Sequence, residues 1–275
     1  MGRLLYASIL CALAPAHGHA QDCRLGLLLA IDVSASIDAR EFELQRNGYV
    51  DALTSPEVRR ALLAHPGWPV AISAFEFSGQ RQQAVLADWR LILADDDIDR
   101  LAAELRASKR NQTEFPTAIG YALGFASVHL RAAPRCREYK IDLSADGENN
   151  DGFPPTLAYR HFPFAGVSVN ALAIADGDDR DALAAYFVRE VIRGPGAFVL
   201  TADGFGDFAR ALREKLLREL RTQVIGRGDQ NAWPGTSGPR QPSAPLILPK
   251  YLGGAGAAPP PRSDRAPARS ETRVQ

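Results

Sequence analysis

The chain has 275 residues, 46% of them hydrophobic, and it carries 32 basic and 32 acidic residues, so its net charge is zero. A neutral chain has no electrostatic basis for nucleic-acid binding, and no cluster of basic and aromatic residues supports that function. After the first twenty residues, no segment is long and apolar enough to span a membrane.

The first twenty residues have the pattern of a secretory signal peptide. Arg3 is basic, residues 4–14 form an apolar run, and the small residues Gly18 and Ala20 stand at the −3 and −1 positions of a cleavage site. The run is shorter than the ~20 residues that a membrane-spanning helix needs. We predict that residues 1–20 are a signal peptide and that the mature protein is periplasmic or secreted, the alternative being a buried amino-terminal helix.

Residues 23–225 are enough for one domain with an ample core. Within this region, segments with the period of a strand alternate with segments with the period of a helix. In chain order, the predicted elements are a strand at 25–31, a helix capped by Ser36 or Asp38 and reaching about 52, a helix at 56–63, strands at 70–77 and 84–89, helices at 95–105 and 117–131, a strand at 138–143, a helix at 154–160, a strand at 167–174, a helix at 179–189, a strand at 197–201 and a helix at 205–223.

This alternation predicts an α/β fold, doubly wound, with a mostly parallel six-stranded sheet and helices on both faces. The continuous apolar run at 25–31 is typical of a strand that is buried on both faces of such a sheet. The short link SGQRQQ between 70–77 and 84–89 suits a hairpin, so we expect 84–89 to be an antiparallel strand at an edge.

The carboxyl-terminal segment 226–275 differs in composition from the rest of the chain. It holds nine of the nineteen prolines and seven of the twenty-three glycines, which favours an extended, disordered tail. Seven basic and three acidic residues give this segment a net charge of +4. A dispensable tail and a contact with an anionic surface both fit these observations.

Oxygen-bearing side chains follow two of the predicted strands. Asp32, Ser34 and Ser36 leave the strand 25–31, and Asp146 follows the strand 138–143. In doubly wound sheets, sites form outside the carboxyl ends of the strands. Thr117, at the start of a predicted helix, adds another hydroxyl. Hard oxygen ligands favour Mg²⁺, Ca²⁺ or Mn²⁺ over zinc, so these residues predict a divalent-cation site.

These segments resemble the von Willebrand factor type A domain, whose metal-ion-dependent adhesion site (MIDAS) combines Asp-x-Ser-x-Ser with a later Thr and a later Asp. The resemblance covers residues 25 to about 223, with the three parts in the right order. The passages DVSASID, TAIGYAL, IDLSADGENN and EVIRGPGAFV are similar to a family of exported bacterial A-like domains of unknown function.

The resemblance implies a sheet order of 3-2-1-4-5-6 and a protein-binding or adhesion module whose cation, Mg²⁺ first and Mn²⁺ or Ca²⁺ as alternatives, contacts a carboxylate of a protein partner. The implied metal ligands are Asp32, Ser34, Ser36, Thr117 and Asp146.

The sequence departs from the family pattern before the threonine, where Pro116 replaces the usual glycine. A proline makes this loop more rigid or differently shaped, which leaves Thr113 as an alternative to Thr117. Glu76 and Glu148 lie where they could line the rim of the site, but we expect them to be exposed strand-end charges.

The implied strand order also predicts a disulfide. If the first and fourth strands are neighbours, Cys23 and Cys136 lie side by side at the amino-terminal edge of the sheet. An oxidising compartment permits this bond.

Enzymatic functions have less support. None of the mature histidines, His65, His129 and His161, belongs to a His-Glu-x-x-His pair, and the chain has neither a Gly-x-Ser-x-Gly elbow nor a Gly-x-x-x-x-Gly-Lys phosphate loop. We therefore do not expect an enzyme. A metal-dependent hydrolase or phosphotransferase using Asp32, and a metal-free scaffold, are the alternatives.

Overall fold

The computed structural model describes residues 23–110, 114–177 and 179–221. Its strands are β1 (Cys23–Asp32), β2 (Val70–Phe77), β3 (Gln83–Ile92), β4 (Cys136–Ala145), β5 (Val167–Ala175) and β6 (Val199–Asp203). Its α-helices are α1 (Ala39–Thr54), α2 (Pro56–Leu63), α3 (Asp95–Ala107), α4 (Ile119–His129), α5 (Pro155–His161), α6 (Asp179–Tyr186) and α7 (Phe208–Leu220). A 3₁₀ turn at Leu130–Ala132 follows α4, and a π-helical turn at Phe187–Val191 follows α6.

The six strands form one sheet in the order β3-β2-β1-β4-β5-β6. All neighbouring strands are parallel except β2 and β3, which pair antiparallel. Every residue of β1 is buried, as expected for the central strand of a sheet that helices cover on both faces. The predicted fold class, strand order and antiparallel edge strand are confirmed.

Two hydrophobic cores lie on opposite faces of the sheet. One face packs against α1, α2, α3 and α7, and the other packs against α4, α5 and α6. Alternate β1 residues supply the two cores, with Leu27 and Leu29 on the first face and Leu28 and Ala30 on the second. Since neither face of β1 is free, both ends of this strand are held in fixed positions.

Several element boundaries differ from the sequence prediction for local reasons. Helix α1 begins after Asp38. The Asp38 side chain accepts a hydrogen bond from the backbone N–H of Glu41, and the Glu41 side chain accepts one from the backbone N–H of Asp38, both at 2.8 Å. This capping box leaves Ser36 outside the helix. Helix α4 begins at Ile119 instead of Thr117, because the backbone of Ala118 is not helical.

A disulfide joins Cys23 of β1 to Cys136 of β4. The two residues are direct partners in the parallel ladder, and their Cα atoms are 4.3 Å apart. The bond therefore fixes the amino-terminal ends of β1 and β4, at the opposite edge of the sheet from the polar residues that follow these strands.

Among the described residues, no helix is both long enough and apolar enough to cross a membrane. The predicted signal peptide at 1–20, the predicted tail at 226–275 and Thr113 lie outside the described residues.

Candidate functional site

Asp32 ends β1 at the centre of the carboxyl edge of the sheet. Its side chain is fully buried, and its Oδ1 accepts a hydrogen bond of 2.8 Å from the backbone N–H of Ser34. Its Oδ2 is also buried, yet it has no hydrogen-bond partner among the described residues. A buried carboxylate oxygen without a donor costs free energy unless a cation or a proton compensates it.

The other sequence-predicted ligands lie around Asp32 in one hydrogen-bonded chain. The Thr117 hydroxyl donates to the Ser34 hydroxyl at 3.0 Å, and the hydroxyls of Ser34 and Ser36 are 3.2 Å apart. The Ser36 hydroxyl donates to Oδ1 of Asp146 at 2.9 Å. Because β1 and β4 are parallel neighbours, their carboxyl ends bring Asp32 and Asp146 to the same edge. The structure therefore brings all five residues together.

Two asparagines hold Thr117 in place. Oδ1 of Asn150 accepts the backbone N–H of Thr117 at 2.8 Å, and the Thr117 carbonyl accepts the backbone N–H of Asn150 at 2.9 Å. Oδ1 of Asn149 accepts the N–H of Gly120 in the first turn of α4 at 3.0 Å. These bonds tie the start of α4 to the loop after β4, so Pro116 does not displace Thr117, which is buried beside Ser34.

Gly120 permits this close approach. A Cβ atom at this position would overlap the backbone carbonyl of Phe153, which belongs to the same loop as the asparagines. Any larger residue would force α4 and that loop apart. Gly120 thus contributes to the position of Thr117 without contacting the site.

The electrostatics of the site are dominated by two carboxylates in a buried setting. Burial raises the pKa of Asp32 well above its usual value, and the negative charge of Asp146 raises it further. Burial likewise raises the pKa of Asp146, although the hydrogen bond from Ser36 opposes this. The site therefore favours a neutralising positive charge.

Arg110, which was not predicted from the sequence, contacts the loop that follows Asp32. Its Nη2 donates to the backbone carbonyl of Ser34 at 2.8 Å. Its charge lowers the pKa of both Asp32 and Asp146. No local pattern in the sequence marks Arg110, because it approaches the site from the segment after α3, far along the chain.

The expected exposure of Glu76 was wrong, whereas Glu148 is exposed as expected. Glu76 of β2 is only 4% exposed and faces a small cavity between the sheet, α1 and α3, where Gln45 and Tyr49 also lie. Burial raises the pKa of Glu76 to about 7. The reason is its position one residue before the end of β2, where its side chain points to the face of the sheet that α1 and α3 cover.

A second buried polar cluster lies under α7. Lys215 is fully buried, pairs with Asp142 of β4 and contacts Glu219 at 2.9 Å. Nδ2 of Asn170 donates to Glu219 at 2.8 Å. These contacts lie in a closed interior, where they hold α7 to the sheet and do not form an accessible site.

Among the described residues, no group of three or more His, Cys, Asp or Glu side chains could hold a metal ion. The cluster at the carboxyl edge differs from such a group because three of its five oxygen-bearing side chains are hydroxyls. Its donor set, two carboxylates and three hydroxyls, matches the preference of hard divalent cations.

A family model covers most of the domain. Residues 22–224 match the family described as "Protein of unknown function (DUF1194)". A search of curated proteins gave no match.

Solved structures with this fold include proteins from a mussel and from bacteria. Proximal thread matrix protein 1 from the mussel byssus is 18% identical with a TM-score of 0.51, over 72% of this chain and 48% of that chain. One structure of the mussel protein has a zinc-occupied MIDAS motif. The pilus adhesin SpaC from Lactobacillus rhamnosus GG, in its open conformation, is 15% identical with a TM-score of 0.51, over 72% of this chain and 30% of that chain.

The von Willebrand factor type A protein from Catenulispora acidiphila is 14% identical with a TM-score of 0.51, over 72% of this chain and 43% of that chain. The chain thus spans less than half of the length of each of these three proteins. At these identities the likeness establishes the fold.

Proposed function

This chain belongs to the DUF1194 family and has the von Willebrand factor type A fold, and from that premise we propose that it is an exported module that binds a protein partner through a divalent cation. The proposed ligands are Asp32, Ser34, Ser36, Thr117 and Asp146. The cation is Mg²⁺ in the first place, with Mn²⁺ and Ca²⁺ as alternatives. A bound cation supplies a positive charge that a carboxylate of the partner can contact.

One observation carries this proposal: five oxygen-bearing side chains from three segments converge around Asp32, whose Oδ2 is buried without a donor. A structural role for Asp32 as a helix cap or loop anchor needs only one carboxylate oxygen. The second oxygen of Asp32 has no such role, and the charge of Asp146 lies nearby. A bound cation would compensate both of these negative groups. The residues present therefore fit the cation that the family resemblance implies.

The similar solved structures support the same proposal. They include an adhesin and a protein with a zinc-occupied MIDAS motif. A hard divalent cation takes about six or more oxygen ligands, more than these five side chains supply, so a carboxylate oxygen of a partner can occupy a remaining position. This is the chemical reason to propose a carboxylate as the group that is recognised.

Export is supported by the disulfide. Cys23 and Cys136 form a bond that persists in oxidising compartments such as the bacterial periplasm or the extracellular space. Together with the predicted signal peptide at 1–20, the bond supports a periplasmic or secreted location.

A hydrolytic function has no comparable support. Ser73 and His129 lie 2.9 Å apart, but the Ser73 hydroxyl donates to the carbonyl of Ala87. Both side chains are buried. A serine whose proton is used in a backbone hydrogen bond, and which no substrate can reach, does not serve as a nucleophile.

Calorimetric titration of the chelator-treated mature protein with Mg²⁺, Mn²⁺, Ca²⁺ and Zn²⁺ tests the proposal. We expect cation binding in the wild type, loss of binding in Asp32→Asn, and no change in Asp88→Asn, a matched control at an exposed position of β3. Asn keeps the shape of Asp32 and removes its buried charge, so the variant should fold. Equal binding by Asp32→Asn and the wild type, or no binding by either, would contradict the proposal.

The partner is sought by affinity capture from a periplasmic extract with and without EDTA. We expect proteins that are retained only when the cation is present and that are lost with Asp32→Asn. Capture that is the same with EDTA and with Asp32→Asn would show that any binding surface lies elsewhere on the domain.

A further inference from the structure

Arg110 contacts the backbone of one of the proposed cation ligands, Ser34, without being an oxygen ligand itself. It follows α3, and its Nη2 donates to the carbonyl of Ser34 at 2.8 Å. The backbone N–H of the same Ser34 donates to Asp32 at 2.8 Å. Two hydrogen bonds of the Ser34 backbone therefore link the guanidinium of Arg110 to the buried carboxylate of Asp32.

The guanidinium also has an unused donor. Its Nε is buried and has no hydrogen-bond partner among the described residues. Oδ2 of Asp32 is the unused acceptor of the same site.

We propose that Arg110 is the resident counter-ion of the Asp32–Asp146 pair: it stabilises the two carboxylates when no cation is bound, and it lowers the affinity of the site for a divalent cation. The second part rests on the proposed function. The first part depends only on the charges and contacts of the protein itself.

The effect on cation affinity follows from electrostatics. A divalent cation at the five oxygen ligands would lie near the fixed positive charge of Arg110. The two positive charges repel each other. Arg110 is partly exposed, so at a dielectric constant close to that of water the removal of its charge tightens the binding of a divalent cation on the order of tenfold. Salt screens this repulsion, so the difference should shrink at high ionic strength.

The first experiment compares Mn²⁺ affinity by calorimetry in the wild type, Arg110→Gln and Arg110→Lys. We expect about tenfold tighter binding in Arg110→Gln, a much smaller change in Arg110→Lys, which keeps the charge, and a reduced difference in 0.5 M NaCl. A purely structural role would instead weaken binding in both variants and would not depend on salt. Unchanged or weaker binding in Arg110→Gln would overturn the proposal.

The second experiment tests the counter-ion role without metal. Unfolding by urea in EDTA is measured for Arg110→Gln, Asp146→Asn and the double variant. We expect Arg110→Gln to lower the folding equilibrium constant about fivefold more when Asp146 is present than when it is Asn. Independent, additive effects would overturn the counter-ion role. Coupling without cation binding by any variant would keep that role and refute the cation site instead.

Discussion

Replacement of Glu76 by Gln should stabilise the protein, and increasingly so as the pH rises. Glu76 is 4% exposed, its Oε2 is buried without a partner, and burial raises its pKa from 4.5 to about 7. Arg46 and Tyr49 are the titratable side chains that share its cavity, and they do not compensate the charge of Glu76. The guanidinium of Arg46 instead donates to Glu43 and to the carbonyl of Ser108, which follows α3.

The sign and size follow from proton linkage. The folded protein binds the Glu76 proton more tightly than the unfolded chain does, so stability is lost as the pH rises from the unfolded pKa of 4.5 through 7. The difference between the unfolded pKa of 4.5 and the folded pKa of about 7 corresponds to at most about 3 kcal/mol. Because the carboxyl keeps slight contact with solvent, we expect about 2 kcal/mol at pH 8 and less than about 1 kcal/mol at pH 5.

The assay is urea unfolding in EDTA at pH 5, 6, 7 and 8 for the wild type, Glu76→Gln and Glu57→Gln, an exposed position in the first turn of α2. The difference between wild type and Glu76→Gln isolates this group from Asp32 and Asp142, whose pKa values are also raised. A difference that does not vary with pH, or a Glu76→Gln protein that is less stable than the wild type at pH 8, would refute the reasoning.

Three further changes should destabilise the fold, as measured by urea unfolding. Replacing Cys23 and Cys136 by Ser opens a loop with a sequence separation of 113 residues, and the chain-entropy model gives a loss of about 4–5 kcal/mol. Lys215→Met removes the buried cation that Asp142 and Glu219 contact, which should cost about 3–5 kcal/mol. Gly120→Ala places a methyl group against the carbonyl of Phe153, which should cost about 1–3 kcal/mol and weaken cation binding.

Matched controls separate these mechanisms from general damage. The variant with both cysteines replaced by Ser should be less stable than the wild type only while the wild type is oxidised. An equal difference in the free energy of unfolding under reducing conditions would contradict the disulfide argument. Lys109→Met, at an exposed position, should be nearly neutral. Gly67→Ala adds a methyl group into open space, so equal losses for the two glycine variants would contradict the packing argument for Gly120.

The sequence was sufficient for the architecture because the signals for it are local. The apolar run of β1, the hairpin link between β2 and β3 and the alternation of helical and strand periods each depend on neighbouring residues. The strand order needed the resemblance, since no local pattern determines which strands are neighbours. Once β1 and β4 are adjacent, the pairing of Cys23 with Cys136 follows directly from register.

The interior polar groups could not be predicted in the same way. Lys215 and Glu219, four residues apart on α7, have the spacing of an ordinary solvent-exposed ion pair. Their burial depends on Asp142 and Asn170, which come from strands far along the chain. The contacts of Arg110 with the site depend likewise on how the segment after α3 packs, which no short motif encodes.

Manganese anomalous scattering from a crystal of the protein soaked in Mn²⁺ tests the central claim most directly. We expect one strong anomalous peak within coordination distance of the Ser34 and Ser36 hydroxyls, with Asp32, Thr117 and Asp146 contacting the ion directly or through water. We expect no such peak in Asp32→Asn crystals. A peak elsewhere on the domain, or no peak at this edge of the sheet at saturating Mn²⁺, would contradict the central claim.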